Sequence, residues 1–226
     1  MKSKYAIVCG SRSGSSYLCD LLKSTNRAGD PKEYFNTDLN FDHLRNGKGF
    51  IDSIVNGTKT ENDVFGVKIV GKNQLEEYVE SSLDITHCIL LTRSDSIDQA
   101  ISRYKAWKTN IWHFKNGMTS MPNIEYSFGD IKWCLDEIIE ENKFYKTLLK
   151  GTNHIEIVYE DDLLENPSQT IVCILEHLGI SIEELPELAS TQIVFRNEQS
   201  RQWKSNFIQE IKYKDNYREM INKLHE

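Results

Sequence analysis

The chain has 226 residues, 39% of them hydrophobic, which is enough to build the core of one α/β domain of ordinary size. A formal net charge of −7 argues against a general nucleic-acid surface, because such surfaces neutralise phosphates with clustered Lys and Arg. A polyanionic ligand must therefore be held by a few local cations against the overall field.

The five cysteines, Cys9, Cys19, Cys88, Cys134 and Cys173, are odd in number and scattered, which fits a reducing cytosol and neither a disulfide framework nor a zinc knuckle. The first twenty residues hold only a short apolar run broken by Gly, Ser and Arg, so no signal peptide is expected. No window reaches the roughly 18 consecutive apolar residues of a membrane span. A cytoplasmic protein is the expectation.

Residues 5–9 (Tyr-Ala-Ile-Val-Cys) are apolar and stop at Gly10-Ser11; beyond Ser13, Gly14 and Ser15, helical spacing begins at Tyr17, Leu18, Leu21 and Leu22. This predicts strand, tight loop, helix. The runs Val64 to Val70 and Ile85 to Leu91, bounded by Asn62-Asp63, Gly71-Lys72 and Thr92-Arg93, predict two buried parallel strands. Ile97, Ala100, Ile101, Tyr104 and Trp107 then share one face of a helix, where Trp107 reads as core packing. Residues 113–127 lose periodicity and contain Gly117 and Pro122, which predicts a loop able to act as a lid. A long helix over 129–150 places Ile131, Leu135, Ile138, Tyr145 and Leu149 on one stripe. Ile155, Ile157 and Tyr159 alternate as a fourth strand, and Ile171, Ile174, Leu175 and Leu178 mark a helix that closes at Gly179. The alternation predicts a three-layer, P-loop-like α/β fold, a central parallel sheet with helices on both faces. One domain is expected over 1–226, with 190–226 as a closing segment and helical tail.

Gly10-Ser11-Arg12-Ser13-Gly14-Ser15-Ser16 lies between a strand and a helix, where backbone N–H groups and the helix dipole can hold a phosphate. A Walker A loop needs Gly, four residues, then Gly-Lys-Ser or Gly-Lys-Thr. Here the glycines are closer together, no Lys follows Gly14, and the cation is Arg12. A plain strand-to-helix turn accounts for the glycines equally well. The third strand ends in Thr92-Arg93 where a metal-binding Walker B strand would carry a carboxylate, which suggests a second anion and no metal, although Asp95 lies close by. Ser102 projects from the following helix, so Arg93 as a bidentate fork and Ser102 as a neutral donor can grip one phosphate. The competing reading of Arg93 is a surface salt bridge to Asp95 or Asp98. Lys68 stands at the C-terminal end of the second strand, where open α/β sheets place ligand contacts. Tyr159-Glu160-Asp161 reads as a helix cap and sheet-edge element.

Taken in order, GSRSGSSYLCDLL, PKEYF, VFGVKIV, LTRSDSIDQAISRYKAWKTNIWH, IVYEDDLLENP and FRNEQSRQWKSNF resemble the landmarks of the bacterial trehalose 2-sulfotransferase-like family, within the sulfotransferases that use 3′-phosphoadenosine 5′-phosphosulfate (PAPS). The resemblance covers nearly the whole chain. It implies that Arg12, Ser13, Gly14, Ser15 and Ser16 cradle the 5′-phosphosulfate, that Arg93 and Ser102 hold the 3′-phosphate, and that adenosine 3′,5′-bisphosphate is released without a metal. Glu33, in Pro31-Lys32-Glu33-Tyr34-Phe35, matches the family's general base, with Arg12 as its electrostatic partner in catalysis; taken alone, Glu33 reads as a solvated loop residue. Its flanking aromatics are expected to desolvate it and raise its pKa. His113 is the rival base. Tyr34, Phe35, Lys68, Trp112 and His113 are expected on the acceptor side. Arg196 stands seven residues before Trp203-Lys204, as in the superfamily's nucleotide-closing segment, so Arg196 and Lys204 are assigned to the nucleotide, although Asn197 and Glu198 replace the usual Lys and Gly. A carbohydrate or glycolipid acceptor and a homodimer are further implications of the resemblance. Two other readings stay open: a P-loop small-molecule kinase, dependent on Mg²⁺ and ATP, and a catalytically silent nucleotide-binding module.

Overall fold

The computed structural model describes residues 3–36, 49–80, 83–112, 122–192 and 198–213. The apolar runs become four parallel strands, β1 (Ser3–Cys9), β2 (Val64–Val70), β3 (His87–Thr92) and β4 (His154–Val158), in the order β2-β1-β3-β4. Because side chains alternate along a strand, β1 feeds two cores. Tyr5, Ile7 and Cys9 pack with Leu18, Leu21 and Leu22 of α1 (Ser15–Ser24) and with Ile171, Ile174 and Leu175 of α6 (Pro167–His177). Ala6 and Val8 pack on the opposite face with Ile54 and Val55 of α2 (Phe50–Thr58) and with Tyr145 and Leu149. Helices therefore cover both faces of the sheet, the layered α/β arrangement expected from the alternation of elements.

Two helices escaped the sequence reading. In α2, Phe50, Ile51, Ile54 and Val55 recur at helical spacing, a signal that was present. The other, α3 (Gly71–Glu80), starts at the residue after β2 ends, with Leu75 packed on the second core.

The chain divides into two compact units, Met1–Ser94 with Phe144–Thr191, and Asp95–Lys143 with Gln192–Glu226. The first holds the sheet. In the second, α4 (Ser96–Thr109), most of α5 (Phe128–Leu149) and α7 (Glu198–Tyr213) bury Ile101, Tyr104, Ile131, Leu135, Ile138, Trp203 and Phe207 together. Arg103 on α4 donates to both oxygens of Glu141 on α5, at 2.8 and 3.1 Å. Of the expected lid loop, 122–127 are tied to this unit: Tyr104 Oη donates to the Glu125 carbonyl at 2.7 Å, and Tyr126 Oη to Glu210 at 2.9 Å. Residues 113–121 lie outside the described residues. Trp107 is not core: it is 45% exposed, against the equally open ring of Trp133 with centroids 5.5 Å apart. Among the described residues no helix is long and apolar enough to cross a membrane.

Three histidines gather where strands begin in the first unit. His87 opens β3, His154 opens β4, and the rings of His87 and His177 meet edge-on at 5.2 Å. Burial lowers the pKa of His87. Burial first, then the charges of His87 and His154, lower that of His177 against an opposing hydrogen bond with the Cys88 backbone. The unfolded chain therefore takes up protons at a higher pH than the folded one, so this contribution is complete above about pH 6.5 and is lost as pH falls below it. His177→Leu should flatten the decline of the denaturation midpoint between about pH 7 and 5. An unchanged slope would remove His177 from the acid response.

Candidate active site

The loop between β1 and α1 is built on two left-handed residues, Arg12 at φ 61° and Gly14 at φ 90°. Gly14 caps α1 without a side-chain hydrogen bond, and the first turn carries no acid, so the positive end of the helix meets no carboxylate of its own. Glycine is needed at 14 for a second reason. A Cβ there would stand 2.2 Å from Cδ2 of Tyr159, whose ring lies on the loop. Ser13 and Ser15 are buried within the turn.

Arg93 leaves the end of β3 and points back at this loop. Its Nε donates to Oε1 of Glu160 at 2.7 Å, its Nη1 reaches the Arg12 carbonyl at 3.4 Å, and its Cζ lies 5.2 Å from the centroid of the Tyr159 ring. The side chain is only 9% exposed. Glu160, not Asp95 or Asp98, is thus its ionic partner. Tyr159-Glu160-Asp161 also does not cap the next helix: it opens a π-helical turn, Tyr159–Leu164, and α6 starts at Pro167 with no side-chain cap. Burial, followed by the charge of Arg93, lowers the pKa of Arg12, with Tyr159 opposing. The charges of two guanidiniums, partly withdrawn from water, thus act on one another here, an arrangement whose chemistry suits an anion.

The other end of the same loop meets a carboxylate. Lys68 Nζ donates to Ser16 Oγ at 3.2 Å and pairs with Oε1 of Glu33 at 2.7 Å, the two side chains being 7% and 11% exposed. Oε2 of Glu33 accepts from Asn36 at 2.8 Å and from Gln74 at 3.0 Å, and Gln74 is itself fixed by accepting from the Val70 N–H at 3.1 Å. The Glu33 loop is laid on β2 by the Lys68 N–H, which donates to the Lys32 carbonyl at 2.9 Å. Tyr34 and Phe35 are buried in the second core, and Tyr34 Oη donates to the Asp30 carbonyl at 2.6 Å. Each ring is only 4% exposed, so both anchor the loop that carries Glu33. The expected rise in the Glu33 pKa is also corrected. Burial does push it up, but the charge of Lys68 and hydrogen bonds from Lys68, Gln74 and Asn36 outweigh burial and leave it below the ordinary carboxylate value.

Arg12 to Ser16, Glu33, Lys68 and Arg93 all belong to the first unit and converge on one loop at the C-terminal ends of the strands, the edge where open α/β sheets bind ligands. Ser102, Trp112 and Lys204 belong to the second unit. Ser102 sits on α4. Trp112 is 38% exposed and its indole N–H donates to Asn110 at 3.3 Å. Lys204 is engaged by Asp95 and, at 3.6 Å, by Asp98, so two carboxylates already balance its charge. His113 and Arg196 lie outside the described residues. Sequence reasoning missed Asn36, Gln74 and Glu160 as site neighbours; only Asn36, three residues from Glu33, was close enough in the chain to be suggested.

Comparison with known proteins shows the family of the chain. The model of the Stf0 sulphotransferases matches residues 4–45 and 70–210, and the chain belongs to that family. Among solved structures, a sulfotransferase domain from the curacin biosynthetic pathway aligns at a TM-score of 0.48 and 14% identity, over 80% of this chain and 75% of that one. No curated protein matches the chain.

Gly14→Ala should destabilise the fold by about 2–4 kcal/mol, combining a left-handed backbone with overpacking against Tyr159. In a Tyr159→Ala background the same change should cost only the backbone share, about 1–2 kcal/mol. Denaturant midpoints of the four proteins in this cycle measure the difference, and equal costs in both backgrounds would dismiss the Tyr159 contact.

Proposed function

We propose that the chain transfers a sulfuryl group from PAPS to a hydroxyl of a carbohydrate or glycolipid. The observation that carries this reading is the shared loop: Arg93 touches the Arg12 carbonyl at one end, and Lys68, paired with Glu33, touches Ser16 at the other. Two guanidiniums beside a helix start without a side-chain cap are the cations that a polyanionic donor needs, so the residues present fit this co-substrate. When bound, PAPS supplies the sulfuryl group and departs as adenosine 3′,5′-bisphosphate.

Glu33 takes the proton of the attacking hydroxyl on a carboxylate oxygen. Arg12 and the loop N–H groups offset the negative charge that grows on the transferred and leaving oxygens, and Lys68 carries its charge to the same end of the loop. Arg93 holds the 3′-phosphate through its Nη nitrogens. Buried Tyr34 and Phe35 keep the loop that carries Glu33 in place. An Arg inside the turn, in place of a Lys after the second glycine, argues against the kinase reading.

Adenosine 3′,5′-bisphosphate should raise the thermal midpoint without metal, whereas AMP and ATP should shift it far less. Equal shifts would refute the donor assignment. Arg93→Ala should abolish most of the preference. Glu33→Gln should slow turnover on the order of 10²- to 10³-fold while leaving bisphosphate affinity close to wild type, with acceptors found by a mass-spectrometric screen of sugars and glycolipids. Full activity in that variant would rule out Glu33 as the base.

A further inference from the structure

Glu160 brings a carboxylate into direct contact with one of two paired guanidiniums, and the transfer chemistry gives it no part. A negative charge beside an anion site weakens that site by simple Coulomb repulsion, so its presence calls for a reason of its own. The geometry supplies one. Oε1 takes the Nε–H of Arg93 at 2.7 Å, while Oε2 takes the Ser94 backbone N–H at 3.0 Å and the Ser94 hydroxyl at 3.3 Å. The two oxygens therefore tie the side chain of Arg93 to the backbone one residue later.

Being held at Nε turns the inner edge of the guanidinium towards Glu160 and its outer edge away. On that outer edge Nη1 makes only the long 3.4 Å contact to the Arg12 carbonyl, and Nη2 makes no hydrogen bond among the described residues. The Tyr159 ring, 5.2 Å from Cζ, fixes the plane from the side. What remains is a fork of parallel N–H groups, the form in which a guanidinium takes a phosphate with two bonds at once.

We propose that Glu160 is a positioning residue for recognition of the donor's 3′-phosphate, acting by aiming the Nη edge of Arg93. The inference rests on the role given to Arg93 above. It has a sharp rival, because a carboxylate that merely balanced two cations would oppose the ligand, and its removal would tighten binding.

Calorimetric titration of the full chain with adenosine 3′,5′-bisphosphate and with AMP separates the two, using wild type, Glu160→Ala, Glu160→Asp and Glu160→Gln. Aspartate keeps the charge but falls one methylene short, and glutamine keeps the reach but loses one of two acceptors. The ratio of bisphosphate to AMP affinity should fall about tenfold in the alanine and aspartate variants and less in the glutamine variant. AMP affinity should stay within about twofold throughout. Ligand-free thermal midpoints identify any variant that does not fold, and the near-isosteric glutamine variant decides the matter if alanine is lost. Unchanged or tighter bisphosphate binding in the folded variants overturns the inference, as does an equal loss for both nucleotides. A wild-type chain that does not distinguish bisphosphate from AMP overturns the donor assignment itself, and this inference with it.

Discussion

The site depends on one short loop being pinned at both ends. Between Cys9 and Ser15 the backbone turns through two left-handed residues, a conformation with no regular hydrogen-bond ladder to hold it. It is held from outside instead. The Arg93 guanidinium donates to the Arg12 carbonyl, the Tyr159 ring packs on Gly14, and Lys68 reaches Ser16 where α1 begins. These three anchors come from the ends of β3, β4 and β2, so the order β2-β1-β3-β4, with β1 inside, is what brings them to one place.

Charge is distributed along the loop with the same regularity. Arg93 and Lys68 are each met by one carboxylate, Glu160 and Glu33, both pairs at 2.7 Å and largely shielded from water, while Arg12 stands beside Arg93. Arg12, Lys68 and Arg93 thus gather along this loop in a chain of net charge −7. Shielded ion pairs of this kind add little to stability, because desolvation consumes most of the Coulomb gain. Their contribution is geometric: breaking one leaves its partner uncompensated in a poorly solvated place, so each pair fixes the orientation of the other.

What could be read from the sequence follows the distance over which each signal acts. The bounds of β2 matched to the residue because a run of apolar and β-branched side chains between turn signals is a local property. The glycine-serine loop was legible for the same reason. Glu160 and Arg93 are 67 residues apart, and Gln74 and Glu33 are 41 apart, so these partnerships exist only once strand order is known. Tyr34 and Phe35 show a different limit. Aromatics beside a loop carboxylate look like ligand contacts, but the parallel bridge from Lys32 to Val67 lays that loop against β2, and the rings fall into the core.

Glu33, the proposed base, is a buried carboxylate held by three polar neighbours. Burial is the largest single influence on it and acts upward; Lys68 first, then Gln74 and Asn36, bring its pKa below the ordinary value. Of these three, Gln74 is locked by the Val70 N–H and Asn36 is a loop neighbour, whereas Lys68 divides its ammonium between Glu33 and Ser16. The low pKa is therefore conditional on a cation that already has a second partner on the loop. Negative charge arriving at Ser16 draws on the same ammonium, and whatever Lys68 gives to the loop it withdraws from Glu33. In the proposed reaction the carboxylate would keep the hydrogen bonds of Gln74 and Asn36 but lose part of the Lys68 charge that lowers its pKa, which favours proton uptake.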